Sequence, residues 1–135
     1  MIKRCLIGAG WLAIALLAGC GNGGPTQEQA IALAAGYYDA VKAGKVDVAV
    51  QVMGGERSPE EWRDLLNRRL ERNGPLQDYH LRRAETNTVL NGRMFVLEYR
   101  VIYGQTQATE TMTIQQTLSD KKPKIVFLKD DKGTY

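Results

Sequence analysis

Asn73-Gly74-Pro75 divides the chain into two stretches that read with different periods, and no other feature constrains the fold as much. Ahead of it, apolar residues recur three and four positions apart; behind it, they alternate. Thr26-Gln27-Glu28-Gln29 has the pattern of a capping box. Ile31, Ala34, Tyr38 and Val41 follow at helical spacing, and Gly44 stands where a helix closes. A short second helix is expected over Asp47–Met53, before Gly54-Gly55. Ser58-Pro59-Glu60-Glu61 combines a serine N-cap, a proline at the first helical position and an acid at the third, so a third helix starts there. Trp62, Leu65, Leu66 and Leu70 form its apolar stripe.

The alternating half predicts strands. Tyr79–Glu85 is the first, and Asn91-Gly92 is a hairpin turn. Phe95, Leu97, Tyr99, Val101 and Tyr103 then share one face, with Glu98 and Arg100 on the other. After Gly104-Gln105, the run Ala108–Leu118 sets Met112, Ile114 and Leu118 against a polar row of Thr109, Thr111, Thr113, Gln115 and Thr117. Lys121-Lys122-Pro123 turns the chain into a last strand, Ile125–Leu128. Helices first and strands afterwards, with short connections, predict an α+β fold: N-terminal helices packed on a curved antiparallel sheet.

The first two dozen residues do not belong to that domain. Met1-Ile2-Lys3-Arg4 is a basic start, and from Cys5 to Gly19 the chain is apolar or small. A membrane-spanning helix needs about 20 apolar residues, so this run is too short to be one and reads as a secretory leader. Leu17-Ala18-Gly19-Cys20 resembles the bacterial lipobox. The resemblance implies cleavage before Cys20, a lipid on its sulfur and an acyl chain such as palmitate on the new amino group. Residues 1–19 are then the signal peptide. Residues 20–25, Gly-rich, are a flexible tether, and 26–135 are one domain. A single acyl chain holds a protein only marginally, at about 0.8 kcal/mol per buried methylene, whereas several chains make release negligible. Gly21 rather than Asp after the cysteine implies an outer-membrane location facing the periplasm in a two-membrane host.

The order of elements, with Tyr37-Tyr38 to Gly44, Ser58 to Gly74 and the strands from Phe95 to Leu128, resembles the nuclear transport factor 2-like, or cystatin-like, superfamily. It is most similar to small exported bacterial proteins carrying an uncharacterised domain of that cone-shaped fold. Enzymes of the superfamily place an Asp/His or Asp/Tyr constellation in the mouth of the cone, and the sequence departs from that pattern.

Candidates for chemistry are few. The net charge of +3 includes Lys3 and Arg4 of the leader, and the acids of Glu60–Glu71 alternate with Arg63, Arg68, Arg69 and Arg72. That mixture is a solvated helix face and argues against nucleic acid. His80 is the only histidine, and the cysteines are Cys5 and Cys20, so no metal site or cofactor is expected. Ser58 and Ser119 read as cap and turn residues.

Two charges are misplaced. Arg69 falls inside the apolar arc of its helix, and Glu110 shares a strand face with Met112 and Ile114. Either the two pair in the interior, or Arg69 snorkels to the rim and Glu110 frays into solvent at the strand start. Tyr37, Tyr38, Tyr99 and Tyr103 either line a ligand cavity or pack as core. Thr111, Thr113 and Gln115 form a flat polar face, either solvated or covered by a partner.

These features point to a membrane-anchored envelope lipoprotein with a non-catalytic binding or scaffolding domain. Its partners are the membrane through Cys20 and either an envelope protein or, as the superfamily resemblance implies, a second copy across the sheet. The alternatives are a small-ligand binder using the tyrosine cavity and an enzyme of the same superfamily.

Overall fold

The computed structural model describes residues 25–119 and 122–132; the leader, Cys20 and the rest of the tether before Pro25 lie outside them. Three helices, α1 (Gln27–Lys42), α2 (Val46–Val50) and α3 (Pro59–Asn73), precede four strands: β1 (Leu76–Val89), β2 (Gly92–Tyr103), β3 (Gln107–Thr117) and β4 (Lys124–Asp130). The strands form one antiparallel sheet in the order β1-β2-β3-β4. The architecture is α+β.

Both long helices start as their sequences dictate. The Thr26 amide donates to Gln29 Oε1 at 2.9 Å, and the Gln29 amide donates back to Thr26 Oγ1 at 3.3 Å. At α3 the Ser58 amide donates to Glu61 Oε2 at 2.8 Å and Glu61 returns the bond to Ser58 Oγ at 3.2 Å. Each box satisfies two amides that the helix itself leaves without acceptors. α3 ends at Gly74, whose φ of +82° favours glycine. The turn after β2 folds back onto this corner: the Gly104 amide donates to Pro75 O at 2.8 Å and the Gln105 amide to Asn73 O at 3.0 Å. That contact brings the last turn of α3 beneath the far ends of β2, β3 and β4.

The core fills the space between helices and sheet. Phe95, Leu97, Tyr99, Val101 and Tyr103 of β2 and Ala108, Met112 and Ile114 of β3 are buried on one sheet face. Across it stand Ala34, Tyr37, Tyr38 and Val41 of α1 and Trp62, Leu65 and Leu66 of α3, all buried. Each large apolar side chain so buried contributes about 1.5–3 kcal/mol relative to exposure. The outer edge of β4 is covered by the residues after α2: the Ile125 amide donates to Val52 O at 2.9 Å and the Gly54 amide to Ile125 O at 2.8 Å. A free sheet edge, with its liability to pair with other chains, is thereby avoided on that side.

The structure corrects several boundaries, among them that of β4, which runs Lys124–Asp130 rather than Ile125–Leu128. β1 runs from Leu76 to Val89 rather than over Tyr79–Glu85 alone, because backbone pairing with β2 continues where the side chains of residues 85–88 are exposed. α2 is Val46–Val50; Met53, expected inside it, instead bridges Ile125. β3 ends at Thr117, so Leu118 lies in the following turn, 83 % exposed, and does not join Met112 and Ile114 on the apolar face.

Candidate functional site

Glu110, the fourth residue of β3, points into the core and is completely buried. Three elements converge on it. Tyr38 of α1 donates its hydroxyl to Oε1 at 3.0 Å, Tyr103 of β2 donates to Oε2, and Arg69 of α3 brings Nη1 to 3.5 Å from Oε1. Both carboxylate oxygens act as acceptors, the arrangement that suits an ionised carboxylate. The buried pair is therefore present. Arg69 does not snorkel, and Glu110 does not fray into solvent. Each would be a costly isolated charge in the interior, and each is tolerated because the other neutralises it.

Burial works against the charge on Arg69. The attraction of Glu110, Tyr37, Tyr103 and Asp130 outweighs that effect, so its pKa stands above the ordinary value. For Glu110 desolvation is the stronger influence and lifts the pKa above 4.5, although Arg69, Tyr103 and Tyr38 all pull it down. The phenols are held protonated: burial, with Glu110 next in weight, raises Tyr38 and Tyr103, and burial raises Tyr37 although Arg69 opposes it. They remain donors throughout the working pH range.

A raised carboxyl pKa fixes the sign of a pH effect. The folded chain keeps the Glu110 proton to higher pH than the unfolded chain does. Its contribution to stability is therefore complete below about 4.5 and declines as pH rises through the folded-state pKa. Urea melts over a pH series should show that decline in the wild type and not in Glu110→Gln. Equal pH slopes for the two proteins would contradict it.

The four tyrosines expected to line a cavity or pack as core are all buried, and the rings of Tyr37, Tyr38 and Tyr99 pack together. Tyr38 sits 5.0 Å from Tyr37 and 4.8 Å from Tyr99 between ring centroids. Two other members of the cluster escape a reading of the sequence. Tyr79 of β1 stacks on Tyr38 at 4.9 Å and donates its hydroxyl to Asp39 Oδ1 at 2.7 Å. Asp130 closes β4, buried, with Arg72 Nη2 3.4 Å from its Oδ2 and the Lys132 amide donating to Oδ1 at 3.0 Å. Extending the Ile125–Leu128 alternation by two residues would have placed Asp130 on the inner face.

Thr111 and Thr113 stand on the opposite sheet face, half-buried, with Gln115 in the same row. Cross-strand pairing sets Thr113 between Val96 and Phe127, and Thr111 between Glu98 and Lys129. Phe127 is 42 % exposed. His80 is also on this side, about half exposed, its Nε2 3.1 Å from Asp78 Oδ2. No group of His, Cys, Asp and Glu side chains among the described residues is arranged to hold a metal ion.

General acid–base work requires a group within about 3 Å of a substrate proton, and both Glu110 and Arg69 are shut away from solvent. What the cluster does in the structure is join α1, α3, β2 and β3 through one carboxylate. No protein-family model matches the sequence, and no curated protein matches it significantly.

Proposed function

We propose that the chain is a lipoprotein of the bacterial cell envelope, anchored through lipid on Cys20, with a non-catalytic binding or scaffolding domain of nuclear transport factor 2-like, cystatin-like architecture. The observation that carries this reading is the division of labour between the two sheet faces. The charged side chains, Glu110 and Arg69, are sealed inside and paired with one another, whereas Thr111, Thr113 and Gln115, with Phe127 beside them, form the extended surface offered outward. A polar sheet face with an apolar residue in it is the composition of a non-obligate interface. The position of the domain start adds support. The first helix is capped at Thr26, directly after the Gly-rich stretch that the sequence reads as a tether. In a two-membrane host the domain faces the periplasm from the outer membrane.

Metabolic labelling with an alkyne-bearing palmitate tests the anchor. The wild type should take up label and sediment with membranes, and Cys20→Ser should lose both. A labelled, membrane-bound Cys20→Ser protein would defeat the proposal.

A further inference from the structure

At one end of the sheet two leucines are held in water on neighbouring segments of backbone. Leu90-Asn91 is the two-residue link between β1 and β2, closed by the Val89–Gly92 pair. Leu118 follows β3 directly, and its amide donates to Asn91 O at 2.9 Å. Leu90 is 99 % exposed and Leu118 83 %, more than any other large apolar side chain described. Neither contributes to the core, and no packing requirement of the fold accounts for two bare leucines.

The same end holds the root of the tether. Arg93, one residue into β2, donates from Nη1 to Pro25 O at 3.1 Å, and Pro25 is buried. Cys20 is five residues upstream, a distance that a fully extended chain spans in at most roughly 17 Å. β2 from Gly92 to Tyr103 runs about 36 Å. The opposite end of the sheet, with Gly104-Gln105 and Asp131-Lys132, therefore cannot be turned toward the surface that holds a lipid on Cys20. The leucine end can. Lys122, exposed, and Lys124 follow Leu118 closely in the chain, and with Arg93 they supply cations that suit anionic headgroups.

We propose that Leu90 and Leu118 form a membrane-docking tip, seating this end of the domain in the interfacial layer of the same phospholipid surface that carries the anchor. The inference rests on the lipid at Cys20. It adds an orientation: the strands stand off the membrane, and the Thr113 face looks sideways rather than down.

The test uses the acylated chain in vesicles of phosphatidylethanolamine and phosphatidylglycerol. An environment-sensitive nitrobenzoxadiazole label is placed on Leu90→Cys, Leu118→Cys or Gln105→Cys, with folding checked by circular dichroism. The intact mass of each preparation is taken first. In acylated protein, labels at 90 and 118 should emit at shorter wavelength and be quenched several-fold more by spin-labelled lipid than the label at 105. Equal, water-like behaviour at all three positions would overturn docking while leaving the anchor intact. Short-wavelength emission without lipid quenching would also overturn it, since the leucines would then be covered by protein. A mass without acyl chains would overturn the anchor and the docking together.

Discussion

Arg69→Met is expected to lower the unfolding free energy by about 3–5 kcal/mol, because it leaves Glu110 charged and alone in the core. Glu110→Leu should cost a similar amount for the mirror-image reason, and it also strips the acceptor from Tyr38 and Tyr103. In a domain of this size such a loss corresponds to a fall in melting temperature on the order of 10–20 °C. The double variant separates the pair from simple damage. With both charges gone no ion is stranded, so Arg69→Met/Glu110→Leu should be clearly more stable than the sum of the single losses predicts. Strict additivity in thermal melts would mean that the 3.5 Å contact carries no coupling.

Trp62→Ala is the second large effect, expected at about 3–5 kcal/mol. The indole is 1 % exposed at the start of α3, and its Nε1 donates to Gly54 O at 2.9 Å. Gly54 in turn pairs with Ile125, so the indole braces the segment that covers the β4 edge. Arg57 lies over the ring at 5.3 Å. Removing the side chain opens a cavity, leaves a carbonyl without its donor and loosens the edge cover together. Trp62→Phe, which keeps most of the volume, should lose only about 1 kcal/mol for the hydrogen bond. Urea denaturation at unchanged m-value is the measurement. Equal losses for the two variants would show that packing at this position is unimportant.

The elements legible in the sequence are those whose signals are local. Both capping boxes lie within four consecutive residues, and β2 announces itself by strict alternation from Phe95 to Tyr103. Arg69 and Glu110 were each recognisable as misfits on an apolar face. Their meeting is one of two alternatives in the sequence, and the choice depends on the turn at Gly104 folding back on Pro75 and carrying α3 across the sheet. The sequence shows only part of β1, for a different reason. The register shift between Leu81 and Arg83 breaks its alternation, and beyond it Glu85, Thr86, Asn87 and Thr88 are exposed, so backbone pairing leaves no apolar trace. Leu118 misled in the opposite sense: its spacing from Met112 and Ile114 fits the inner face, but the strand ends one residue before it. Tyr79 completes the tyrosine cluster through a contact with α1 that spans some forty residues of sequence, and nothing in its neighbourhood marks it.

The Thr113 face carries the functional proposal, so one experiment bears on it most directly. A photo-crosslinking amino acid is placed at Thr113 in the living cell, anchoring and folding of the chain are verified, and the adducts are weighed. The account predicts a discrete adduct of defined mass, either with one envelope protein or with a second copy of the chain. An anchored, folded protein that yields no discrete adduct at Thr113 would contradict it.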